Sequence, residues 1–251
     1  MISSLDNEYL QNRYKQIVEG CPLCGGRKPY CSCKYAFQFE YAKIKANIPV
    51  SLREFVIDDF THPQLQKQKN MLVNYAAELH NNPYGSKSIY LCGDKGTGKS
   101  AIAAWILEEA LKGKKTGYFF HTLYAAKVAA TKTWDKASRD DIDCVALSNY
   151  DVIVIDKVGE GTTILGQTFE ELKEILRARA ESSKVTIFVG TAPLNNLVSN
   201  ESELIRVCDC EEVFFAGFDY KKAVLKAAAD DPKKKQKLPG IVIKKKRGGK
   251  K

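Results

Sequence analysis

One octapeptide constrains this chain more than any other: Gly93-Asp94-Lys95-Gly96-Thr97-Gly98-Lys99-Ser100. It satisfies G-x-x-x-x-G-K-[S/T] at every fixed position. An apolar run, Ser88–Cys92, precedes it, and a helix-favouring run, Lys99–Lys112, follows it. Strand, glycine-rich loop and helix start form the context in which this pattern binds phosphate. Gly93, Gly96, Thr97 and Gly98 are expected to turn backbone N–H groups toward the phosphates, helped by the positive end of the helix. Lys99 is expected to neutralise the β- and γ-phosphates of ATP, and Ser100 to ligate Mg²⁺.

Such a loop needs a sheet behind it. Strands are expected at Ser88–Cys92, Thr116–His121, Asp151–Ile155, Val185–Gly190 and Val213–Phe215. They alternate with helices at Lys99–Lys112 (closed by Gly113), Leu123–Lys136, Thr168–Ser182 and Asp219–Ala229. The most apolar of these strands read as continuous runs, which marks burial on both faces and a parallel sheet covered by helices: an α/β fold. Upstream, helices are expected over Leu5–Val18, over Tyr35–Ala46 (stopped by Pro49), and from Pro63 to about His80. Arg53–Phe60 reads as a connector with strand character. The chain shows no internal repeats.

A nucleotide site of this kind needs a second acidic element one strand away, and Asp151-Val-Ile-Val-Ile-Asp156 supplies it. Asp156 is expected to hold the Mg²⁺ shell. ATPases of this class often place a second acid next, to orient water, but Lys157 stands there, and Glu160 is the nearest substitute. Thr191, at the tip of the strand Val185–Gly190, is placed to sense the γ-phosphate or to hold water.

Four of the eight cysteines, Cys21, Cys24, Cys31 and Cys33, fall within thirteen residues around a Gly- and Pro-containing turn. Two close pairs can wrap one tetrahedral Zn²⁺ through four thiolates; two disulfides or four free thiols are the alternatives. Four thiolates leave no open position for a substrate, so a zinc here would be structural. Cys208 and Cys210 have no second pair nearby and read as strand residues.

Lys and Arg number 39 against 30 Asp and Glu, a net charge of +9. Ten basic residues and no acid lie in 232–251, so the other 231 residues sum to −1. The tail is either a solvated end or a flexible arm gripping nucleic-acid phosphates, with Leu238 and Ile241-Val242-Ile243 as a short docking segment. No apolar run approaches the ~18 residues of a membrane span. Met1–Gly20 lacks the apolar stretch of a secretory signal. The expectation is a cytoplasmic protein with no membrane contact.

Taken with the cysteine knuckle, Asn47-Ile48-Pro49, the Ile155–Gly159 segment, Leu172–Arg179, Ser202–Ile205 and Gly217-Phe218-Asp219-Tyr220-Lys221, the loop resembles the DnaC/DnaI/IstB-type AAA+ ATPases. These are bacterial and phage helicase loaders and their transposon relatives. The resemblance runs from about Cys21 to Ala229. It implies a small N-terminal zinc-binding region (1–46) and an AAA+ domain (47–231), which the charge distribution follows with a basic tail (232–251). It further implies ATP held between subunits of a spiral or ring, with adenine near Ile48 and Pro49. Single-stranded DNA would lie along the inner surface, and the N-terminal region would contact a hexameric replicative helicase.

Several positions depart from the family pattern. Lys157 replaces a second acid, Glu203 occupies the place of the trans-acting arginine, and Thr191 stands for an asparagine. Arg206 is then the nearest candidate finger. Lys221 stands where the family has a cis-acting arginine, keeping the charge but not the bidentate fork. These departures imply ATP binding as an assembly switch with weak turnover. The alternatives are an IstB-like transposition ATPase coating duplex DNA and a weakly hydrolysing helicase scaffold or inhibitor.

Overall fold

The computed structural model describes residues 3–61, 65–82, 86–123, 125–126, 146–160 and 166–217. Lys221, the expected helix Asp219–Ala229, most of Leu123–Lys136, Pro63 and the basic tail lie outside the described residues.

Five parallel strands form one sheet: β1 Ile89–Gly93, β2 Gly117–Phe120, β3 Val152–Val158, β4 Val185–Gly190 and β5 Glu211–Phe215, in the order β2-β3-β4-β1-β5. Side chains alternate across a strand, so each strand feeds two cores. Ile89, Leu91, Val152, Val154, Val185 and Ile187 join the core containing α4 (Lys99–Lys112) and α3 (Gln66–Asn81). Tyr90, Ile153, Ile155 and Phe188 join the opposite core with Leu172, Leu176, Leu204 and Ile205. Those four come from α6 (Gln167–Glu181) and α7 (Ser199–Arg206). Every residue of β1 and β4 is buried, which is why these strands read as unbroken apolar runs. The short α5 spans Ala146–Asn149.

The N-terminal helices α1 (Ser4–Tyr14, prolonged by a π turn over Lys15–Glu19) and α2 (Ser32–Lys45) dock onto this body through buried charge. Lys43 Nζ lies 3.5 Å from Glu40 Oε1 and 3.0 Å from Glu108 Oε2 of α4, and donates to the Arg53 carbonyl at 2.8 Å. Tyr9 donates to Glu40, and Arg13 pairs with the same carboxylate at 3.1 Å. Arg53 pairs with Asp6 at 2.7 Å. Ala46 and Ile48 are buried within the core of the α4 face, and Phe119 N–H donates to the Ala46 carbonyl at 2.8 Å.

Two local expectations are corrected. Arg53–Phe60 is not strand-like; the segment that leads into it and its end are 3₁₀ turns, Val50–Leu52 and Ile57–Asp59. Its apolar residues Phe55 and Ile57 pack from these turns against the core of the α4 face. Cys208 and Cys210 are not strand residues: they lie in the turn between α7 and β5. α7 itself was not anticipated. Gly113 closes α4 as expected, with φ −71°. It is glycine because a Cβ there would sit 2.3 Å from the His80 carbonyl oxygen, and the left-handed turn falls on Lys114 (φ 61°).

Candidate nucleotide site

The loop between β1 and α4 is pinned at both ends. Gly93 adopts φ 120°, and a Cβ on it would lie 2.0 Å from the Phe215 carbonyl oxygen of β5, so only glycine fits. Asp94 N–H donates to that carbonyl at 2.9 Å, and Asp94 Oδ2 accepts from Gly217 N–H at 2.9 Å. Gly98 is left-handed and starts α4, leaving the first N–H groups of the helix facing the loop.

Lys99 is buried. Its Nζ donates to the carbonyls of Gly93 (2.9 Å) and Asp94 (2.6 Å) and to Thr97 Oγ1 (3.1 Å). Burial pulls its pKa down against the opposing fields of Asp94, Asp156 and Glu160. A phosphate chain within reach would supply the anionic partner that this desolvated ammonium lacks.

The strand order sets where the other groups fall. β4 lies between β1 and β3, so its tip, Thr191, stands between the loop and Asp156. Thr191 lines the same cleft of about 300 Å³ as Thr97, Lys99, Ser100 and Asp156. Ser100 Oγ donates to Asp156 Oδ1 at 3.0 Å. Two oxygen ligands on neighbouring vertices of an octahedron with bonds of ~2.1 Å are about 3.0 Å apart, so this pair fits a Mg²⁺ shell. Burial pushes the Asp156 pKa up, opposed by hydrogen bonds from Lys157 N–H and Ser100. A divalent cation would relieve that cost.

Of the other expected site residues, Glu160 lines the cleft and pairs with Lys95 at 3.6 Å. Ile48 is fully buried beneath the site, and Pro49 leads into the turn whose Leu52, rather than Ile48 or Pro49, lines the cleft. Arg206 ends α7, exposed and away from the cleft. Sequence reasoning missed Lys95 and Leu52 as lining residues. Lys95 sits at a variable motif position, and only the three-dimensional turn brings Leu52 alongside. It also missed Tyr90, whose hydroxyl donates to the Ala192 carbonyl at 2.6 Å and so fixes the chain beyond Thr191.

The four N-terminal cysteines converge, with all four sulfurs within 4.8 Å of one another. Cys21 and Cys31 sulfurs are 3.7 Å apart, and those of Cys24 and Cys33 are 3.5 Å apart. Vertices of a tetrahedron with Zn–S bonds of ~2.3 Å are about 3.8 Å apart. Disulfides would need ~2.05 Å. The donor set therefore fits Zn²⁺. Against the pull of burial, hydrogen bonds from Lys28 and Gly26 N–H and from Cys33 bring Cys24 down to about 6, while burial pushes Cys33 up to about 12. Four thiolates this close repel one another, and a dication removes that repulsion.

No protein-family model matches the chain, and no curated protein does. Solved structures do. A candidate primosome component from Streptococcus pyogenes serotype M3 aligns over 70% of this chain and 96% of its own, with 18% identity and a TM-score of 0.51. AMPPCP-bound DnaA from Aquifex aeolicus aligns over 72% of this chain and 55% of its own, with 15% identity and a TM-score of 0.55. A DNA replication initiation factor aligns over 72% of this chain and 54% of its own, with 14% identity and a TM-score of 0.53. Among the described residues no helix is long and apolar enough to cross a membrane. The chain shares the fold of these proteins, a parallel sheet flanked by helices, with a glycine-rich loop between β1 and α4 and a four-cysteine cluster at its N-terminal side.

Proposed function

We propose that this chain is an ATP-switched helicase loader, which binds a hexameric replicative helicase and places it on single-stranded DNA. The observation that carries the reading is one body joining two parts. A P-loop cleft is lined by Lys99, Ser100, Asp156 and Thr191, and the four-cysteine knuckle leads into α2, whose Lys43 pairs with Glu108 of that body. The sequence resemblance assigns nucleotide binding to the first and helicase contact to the second. Likeness to a nucleotide-bound DnaA and to a candidate primosome component supports the same reading at the level of fold.

In this reading Lys99 and the loop N–H groups hold the phosphates, while Ser100 and Asp156 hold Mg²⁺. The metal shields the charge on the β- and γ-phosphates. Thr191 senses the terminal phosphate from the tip of β4. Self-association into a spiral or ring would bring Arg206 toward a neighbour's nucleotide. With Lys157 in place of a second acid, ATP acts chiefly as an assembly signal and is cut slowly. The tail 232–251 adds a salt-sensitive grip on DNA phosphates.

Recovery of partners from host lysate with ATP present tests the reading, with Lys99→Ala as control. A hexameric helicase is expected with the wild type and is expected to be lost with the variant. A wild-type protein that recovers no helicase refutes it. An IstB-like ATPase would instead coat duplex DNA and tolerate loss of the knuckle.

A further inference from the structure

Lys157 occupies a strained and exposed position. It follows Asp156 in β3, yet its φ is 57°, a left-handed conformation that is uphill for any residue with a Cβ. The β3–β4 pairing is irregular between Ile155 and Val158. Such bulges re-aim side chains beside functional sites. Here the bulge lets Lys157 N–H donate to Asp156 Oδ1 at 2.8 Å. It also brings the lysine itself to the wall of the nucleotide cleft.

The charges in that cleft are unevenly satisfied. Lys95 is held by Glu160, and Lys99 is engaged by the loop carbonyls. Lys157 is exposed and has no ion pair within 4.0 Å among the described residues. The loop N–H groups cradle the inner phosphates, so the outer end of a nucleotide lies toward Ser100, Asp156 and Thr191. Lys157 borders that end. A diphosphate held by that loop would stop short of it, whereas the added phosphoryl group of a triphosphate would bring negative charge to it.

We infer that Lys157 is a built-in terminal-phosphate contact, by which this cleft distinguishes nucleoside triphosphate from diphosphate without a neighbouring subunit. The inference rests on the reading of the cleft as a nucleotide site and deepens it. An ammonium at this place neither orients nor deprotonates water. It favours holding the triphosphate over cutting it. A lysine in water gives a modest contact, and about tenfold in affinity is the expected scale, equal to ~1.4 kcal/mol.

The test is titration of the full zinc-loaded chain with Mg²⁺ and either fluorescent ADP or a fluorescent β,γ-methylene ATP analogue. Lys157→Met should weaken the triphosphate about tenfold and the diphosphate less than twofold, and Lys157→Arg should retain the preference. Lys157→Gly relieves the left-handed backbone while removing the ammonium, so it should behave as Lys157→Met does. Equal weakening of both nucleotides, no change in either, or a Gly variant with wild-type preference would overturn the inference. A Lys99→Ala variant that binds both nucleotides normally, or a wild type that binds neither, would instead overturn the nucleotide-site reading and the inference with it.

Discussion

Glu108 makes the sharpest prediction about stability, because the structure says that removing its charge should help. It is buried on α4, with Lys43 Nζ 3.0 Å from one carboxylate oxygen and no partner for the other, Oε1. Burial outweighs the pull of Lys43 and raises its pKa from 4.5 to about 7. The folded state therefore binds more protons than the unfolded state between those values. The stability this contributes is complete below pH 4.5 and is lost as pH rises through 7. At ~1.4 kcal/mol per pH unit, ionised Glu108 costs the folded state ~3 kcal/mol by pH 8. Glu108→Gln keeps the shape and removes the charge, while Lys43 still has Glu40 and the Arg53 carbonyl. The variant should gain ~2–3 kcal/mol at pH 8 relative to pH 5, or roughly 5–10 °C in Tm for a chain of this size. Thermal and urea unfolding of both proteins from pH 5 to 8, zinc present throughout, measures the difference, and other titrating groups cancel. A variant that is less stable at pH 8, or a stability difference independent of pH, would refute the claim that desolvation outweighs the ion pair.

Two further outcomes follow from the geometry. Cys24→Ser should abolish stoichiometric zinc in the purified protein, read by metal analysis, and expose the N-terminal helices to proteolysis while the P-loop body stays resistant. Gly190→Ala would place a Cβ 2.4 Å from Tyr90 Oη and 2.8 Å from the Val158 carbonyl oxygen. Denaturant titration should show a loss of about 1–3 kcal/mol from overpacking.

The sheet was legible because its most buried strands leave a plain record. Burial on both faces turns Ile89–Gly93, Val152–Ile155 and Val185–Gly190 into apolar runs bounded by turns. The loop between β1 and α4 was legible because its constraints are local: a glycine that must avoid Phe215, and a lysine six residues on that folds back onto its carbonyl. What escaped reading depends on distant neighbours. α7, Ser-Asn-Glu-Ser-Glu-Leu-Ile-Arg, looks polar, yet Glu201 and Ser202 are buried with Leu204 and Ile205. Glu40, Lys43 and Glu108 would pass for solvated charges; only the docking of α2 on α4 makes them a buried cluster. Arg179 looks like an ordinary helix-end charge. Its guanidinium is in fact fully buried and donates to the carbonyls of Leu147 (2.7 Å), Tyr150 (2.6 Å) and Val185 (2.7 Å).

Arg179 also shows why the cleft can be held so tightly by elements far apart in sequence. Its three carbonyl acceptors lie on both sides of β3 in the chain, before its start and at the start of β4. Burial depresses its pKa to about 10, so it stays charged at neutral pH, and the carbonyl dipoles replace its water. At the other end of the same strands, Tyr90 Oη donates to the Ala192 carbonyl, and Gly190 packs so closely that a Cβ on it would lie 2.8 Å from the Val158 carbonyl oxygen. β3 and β4 are thus tied to their surroundings at both ends, which sets the positions of Asp156 and Thr191 relative to each other. Glu201, which accepts from Gly159 N–H, ties α7 to the chain just beyond β3.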